Sequence, residues 1–139
     1  MSAPASCDGF LDTSVIVRYL TDDPPHMAQE AARLIDSDVV LAITDVALTE
    51  AAYVLTSVYR LTREDVVDAL VALLQRENIG VHALDKGRAI HALLMARPSG
   101  RISFADSFIW AAAQSSGTQR VYTFDERFPA EGIELMRPE

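Results

Sequence analysis

Four carboxylates stand among apolar residues, where an ionised side chain is costly unless something binds it. Asp12 lies between Phe10-Leu11 and Val15-Ile16-Val17. On a helix, Glu50 has Val46, Ala47, Tyr53 and Val54 as its neighbours, which places it inside an apolar stripe. Asp106 is the sole charged residue between Arg101 and Arg120, and Asp125 follows the run Val121-Tyr122-Thr123-Phe124. Each has an ordinary explanation when taken alone. Asp12 suits a helix N-cap, and Glu50 suits a buried salt bridge or an edge position with its head in water. Asp106 fits a capping box with Ser103, and Asp125 fits a turn. Gathered in one pocket, the four would repel, raise the pKa of at least one, and need a cation. Oxygen-only ligation selects Mg²⁺ or Mn²⁺ over zinc, with waters completing the octahedron.

Such a gathering needs short strands that alternate with helices. Residues 9–12 read as a buried strand ending in a carboxylate. Pro24 opens a helix over 24–36, the β-branched run 39–43 is a strand, and Thr44 and Asp45 cap a helix reaching about 59. Thr62 with Asp65 starts a helix ending near 76, and 79–84 is a third strand. A helix over 86–96 stops at Pro98 and Gly100. The stretch 104–115 is apolar almost all round, which predicts a helix buried on most sides and closed by Gly117. Strands at 120–123 and 133–136 complete the chain. The alternation predicts an α/β fold: a single three-layer α/β/α domain over residues 1–139, with a short parallel sheet of about five strands. Ligands of such sheets bind outside the carboxyl ends of the strands, where strand order reverses. If the first and fourth strands flank that point, Asp12 and Asp125 face each other while helices bring up Glu50 and Asp106.

The chain is 139 residues long, enough for one domain with a real core and too short for two. No apolar run approaches the roughly 20 residues of a membrane helix, and residues 1–6 lack a leader pattern, so a cytoplasmic location is expected. Cys7 is the single cysteine, which excludes an internal disulfide and a cysteine-based zinc site. A formal net charge of −8 argues against a general basic surface for nucleic acid. It leaves room for a nuclease, because bound divalent cations supply positive charge at the reactive point. Other α/β chemistries lack their signatures. No glycine-rich dinucleotide fingerprint, Walker lysine motif or nucleophile elbow is present. The chain's one lysine, Lys86, stands far from any predicted carboxyl end of a strand, which disfavours a phospho-acceptor domain.

Four stretches in order resemble the motifs of the PIN-domain nucleases, especially the VapC-type toxins of bacterial toxin–antitoxin pairs. They are Phe10-Leu11-Asp12-Thr13-Ser14-Val15, Thr49-Glu50-Ala51, Phe104-Ala105-Asp106-Ser107, and Tyr122-Thr123-Phe124-Asp125 with Arg127-Phe128. Ser14 replaces the family's frequent Asn, and Ser103 stands where some relatives carry a further acid.

The resemblance implies a Mg²⁺- or Mn²⁺-dependent endoribonuclease whose catalytic and metal-binding residues are Asp12, Glu50, Asp106 and Asp125. Asp12 and Asp106 are expected to touch the ion directly, while Glu50 and Asp125 orient waters or hold a second ion. Thr13, Ser14 and Thr123 are expected to hydrogen-bond these carboxylates. Arg97 and Arg101, which bracket Pro98-Ser99-Gly100, are candidates for RNA phosphate contact. His82 and His91 are not read as ligands, and Phe108 and Trp110 are read as core. The likeness further implies an RNA substrate, a homodimer and a small cognate antitoxin. An apolar surplus over Val66, Val67 and 70–74 is the sequence feature consistent with an interface. A stand-alone ribonuclease without an antitoxin and a non-catalytic interaction module of the same fold are the alternatives.

Overall fold

A computed structural model of the chain describes residues 7–138. The segment read as lacking a leader, 1–6, lies outside them. The elements follow the expected alternation: β1 (Gly9–Phe10), α1 (Thr13–Thr21), α2 (Pro25–Ile35), β2 (Leu41–Ile43), α3 (Asp45–Ser57) and α4 (Arg63–Leu74). Then come β3 (Ile79–Val81), α5 (Lys86–Ala96), α6 (Phe104–Ser116), β4 (Arg120–Tyr122) and β5 (Glu134–Met136).

Every ladder is parallel, and the short strands pair in two sets. β2 is central between β1 and β3, with Ala42 opposite Phe10 and Gly80, while β4 pairs with β5, Val121 opposite Leu135. β1 and β4 share no ladder among the described residues. The sheet of three is buried along β2 and β3, as parallel strands covered on both faces must be.

Local signals fix the helix ends. The hydroxyls of Thr44, Thr62 and Ser103 each accept from a backbone N–H of the following turn, at 3.1, 3.1 and 3.0 Å. Gly117 ends α6 with φ 81°, a left-handed conformation that glycine adopts without strain. β1 stops at Phe10 rather than 12, because Asp12 turns the chain and caps α1.

One expectation about packing is corrected. The apolar positions of α4 form no exposed surplus: Val66, Val67, Leu70, Leu73 and Leu74 are all buried. α4 packs against α3, α5 and β3, so more than one of its faces needs apolar residues. α6 is covered on most sides, as expected: within 104–115 only Ala105 and Ile109 are exposed. Phe108 and Trp110 are core, as read, but Ile109 is 49% exposed. It faces the same groove as Val46 and Tyr53 of α3, themselves exposed.

Candidate metal centre

Asp12 is set by the junction of β1 and α1. Its Oδ2 accepts from the Ser14 backbone N–H at 3.1 Å and from the Ser14 hydroxyl at 2.7 Å. Both bonds favour the charged form, and the hydroxyl is the larger cause of a carboxyl pKa below its ordinary value. The raised pKa expected from like-charge crowding is not found at Asp12, where hydrogen bonding outweighs desolvation. Ser14 is therefore the residue that hydrogen-bonds this carboxylate through both its hydroxyl and its backbone.

Glu50 lies one helical turn beyond the capped start of α3. It is exposed, and so are Val46 and Tyr53 on either side of it. Of the four apolar neighbours, Ala47 is buried and Val54 half-buried, but Val46 and Tyr53 face solvent with Glu50, so its charge carries no large desolvation cost. Apolar residues at helical spacing name a face, and here a second face, built from Leu48, Ala51, Ala52 and Leu55, is the buried one.

Asp12 and Glu50 meet at a crevice of about 350 Å³, floored by Leu11, Thr44 and Ala47. Glu50 also borders a neighbouring apolar groove of about 630 Å³, formed by α3 and α6. Ala105, the residue before Asp106, lies on its far wall. Glu50 and Val46 thus line both the Asp12 side and the α6 side, and Glu50 is the shared carboxylate.

Asp106 occupies the first turn of α6, half-buried, its backbone N–H held by Ser103. A carboxylate there also gains from the positive end of the helix. Asp125 sits apart, in a crevice of about 290 Å³ beside Phe124 and Arg137. It forms a turn: its Oδ1 accepts from the Arg127 backbone N–H at 2.8 Å, and its own N–H donates to the Thr123 hydroxyl oxygen at 3.0 Å. Thr123 therefore engages the Asp125 backbone rather than its carboxylate. Among the described residues, no three carboxylate, histidine or cysteine side chains converge into a ready cage. Two do share a crevice, and neither Asp12 nor Glu50 has a cationic partner among the described residues. One or two carboxylates plus waters is the ordinary protein contribution to a Mg²⁺ site, so the oxygen donors fit such an ion.

The flanking cations are placed differently from expectation. Arg97 is engaged by Asp68 in a two-pronged pair, 2.9 and 3.0 Å. That leaves Arg101 as the exposed guanidinium of the 97–101 loop without an acid partner among the described residues. The residue that sequence reasoning missed is Arg63, at the start of α4. It donates to the carbonyls of Ala96 and Ile102 and stacks on Phe104, fastening the loop that leads to Asp106. Burial lowers its pKa. An arginine in the first helical turn, where the macrodipole disfavours cations, was the available signal.

Neither histidine serves the crevice: His82 packs edge-on against Phe10, and His91 lies 2.8 Å from Glu131. Lys86 does reach a strand, donating to the Ile79 carbonyl, but at the amino end of β3, away from the carboxyl ends where Asp12 stands.

Comparison with known proteins gives a family match. Residues 9–131 match the model of the PIN domain. A solved structure similar to this chain is VapC20 of Mycobacterium tuberculosis, described as a sarcin–ricin-loop-cleaving toxin. It is 24% identical over 94% of this chain and 100% of that one, with a TM-score of 0.44. No curated protein sequence matches significantly.

Proposed function

Because the chain belongs to the PIN-domain family, we propose that it is a divalent-metal-dependent endoribonuclease, the toxin of a toxin–antitoxin pair. The observation that carries this reading is the crevice shared by Asp12 and Glu50 at the carboxyl end of β1. Mg²⁺ or Mn²⁺ would be held by Asp12 with Glu50 and waters, and Asp106 and Asp125 complete the acidic set by their place in the motif order. When bound, such an ion supplies Lewis acidity toward a water and toward the phosphoryl oxygens.

The protein's own part is positional. Ser14 holds Asp12 in its charged form and fixes its direction. Glu50, exposed and without an ion-pair partner among the described residues, is available as a water-orienting base or a further ligand. Arg101 is available to a phosphate beside the site. The antitoxin and a second copy of the chain are the proposed partners. The exposed apolar strip of Val46, Tyr53 and Ile109, in place of α4, is the surface with an interface's character. Among the described residues, no helix is long and apolar enough to cross a membrane.

Incubation of purified protein with RNA and Mg²⁺, with EDTA as control, tests the assignment. Metal-dependent cleavage that Asp12→Asn abolishes, with circular dichroism unchanged, is the expected result. Full activity of Asp12→Asn would remove Asp12 from the site. Absence of cleavage by the wild type would favour an interaction module.

A further inference from the structure

The segment that carries Asp125 alternates in a way that a covered strand does not. Val121 and Phe128 are buried at 9% and 6% exposure, whereas Tyr122, the last residue of β4, and Phe124, in the bend beyond it, are 63% and 68% exposed. Large aromatics are usually the first residues to be buried, and Phe124 stands open at the crevice it shares with Asp125. Arg137, just past β5, lies over its ring, 5.4 Å from the centroid. Arg137 has no ion pair among the described residues, in a chain whose net charge is −8. Arg127, two residues past Asp125, is exposed, and its guanidinium reaches Asp125 only at 3.8 Å.

We propose that Phe124, with Arg137 beside it, is a stacking platform for one unpaired base of a single-stranded RNA, adjoining Asp125. This rests on the nuclease reading and adds where a substrate base sits. An aromatic face next to an unpaired guanidinium matches the two chemistries of single-stranded nucleic acid, the flat base and the charged phosphate. A protein partner would match the apolar ring but has less use for the unpaired Arg137 guanidinium over it. Stacking tolerates any base, so the platform grips the strand without choosing its sequence.

The test uses short fluorescein-labelled single-stranded RNA and the full chain carrying Asp12→Asn, which keeps the RNA intact. Anisotropy titrations compare this protein with versions that also carry Phe124→Ala, Phe124→Leu, Phe124→Trp or Arg137→Gln. Phe124→Ala and Phe124→Leu are each expected to weaken binding on the order of tenfold. Phe124→Trp should bind at least as well as Phe124. Arg137→Gln should weaken binding and flatten its dependence on salt. Leu preserves the apolar volume without a π-face, so rescue by Leu would assign Phe124 a packing role and overturn the proposal. Unchanged affinity in Phe124→Ala, beside Mg²⁺-dependent cleavage by the wild type, would also overturn it. The nuclease reading would then stand, with the ring left to a protein contact. If the wild type neither binds nor cleaves RNA, both readings fall together.

Discussion

The guanidinium of Arg63 lies 4.2 Å from the centroid of the Phe104 ring, and its Nη2 donates to the Ile102 carbonyl at 2.7 Å. One side chain on α4 thereby holds the first residue of α6 and the loop before it. Ser103 and Asp106 follow directly from that anchorage, so the orientation of an acidic-site candidate depends on a residue 43 positions earlier in the chain. Arg97 fastens the other end of the same loop to α4 through Asp68.

Arg63→Ala should cost at least about 2 kcal/mol in urea melts, since a single charge-assisted hydrogen bond is of that size and two are lost with a cation–π contact. Arg63→Lys should recover less than half, because an ammonium cannot span both carbonyls and stack at once. A loss of stability with no loss of RNA cleavage would show that the loop holds Asp106 without this clamp.

Ser14 offers a sharper test of how Asp12 is oriented. Ser14→Ala removes the 2.7 Å hydroxyl bond and should lower RNA cleavage by about tenfold, within the range found for groups that orient metal ligands. Ser14→Asn restores a side-chain donor and should keep most of the activity. Equal activity in all three proteins, measured at saturating Mg²⁺, would make the hydroxyl dispensable.

The Asp68–Arg97 pair sets a pH dependence of known sign. Arg97 holds the Asp68 carboxyl below its ordinary value of 3.8, chiefly through the hydrogen bonds between them. The unfolded chain takes up that proton first as pH falls. The pair's contribution is therefore fully present above pH 3.8 and lost as pH drops through the lower folded-state value. The stability difference between wild type and Asp68→Asn should be constant from pH 7 to pH 5 and shrink below about 3.8. Urea melts of both proteins along that series supply the measurement, and a difference that grows toward acid would reverse the sign.

Ile109 is half-exposed on α6 beside Val46 and Tyr53, so a charge there leaves the core untouched. Ile109→Glu should fold like the wild type, with a change in stability within about 0.5 kcal/mol. If the proposed homodimer forms through this strip, light scattering should find Ile109→Glu monomeric and the wild type dimeric. The control is Val67→Ala, buried in α4, which should lower stability by about 1–2 kcal/mol without altering the oligomeric state. A dimer that survives Ile109→Glu would move the interface to another face.

What the sequence determined is local. Thr62, Ser103 and Gly117 act on backbone groups within a few residues, so the start of α4 and both ends of α6 follow from chemistry that needs no tertiary partner. The order of the four motifs and the position of Asp12 after a short strand are of the same kind. What only the tertiary structure decided is which face of each helix meets another element. Val46, Glu50 and Tyr53 have the spacing of a buried stripe, yet they face solvent, while Leu48, Ala51, Ala52 and Leu55 are buried in a helix that packs chiefly on α1 and α4. Val66 and Val67 look surplus until α4 is seen to need two covered faces. Arg97 and Asp68 are 29 residues apart, and their pairing depends on α4 and α5 lying side by side. Periodicity records that a face is apolar. Burial depends on the neighbour that covers it, and that neighbour is supplied by residues distant along the chain.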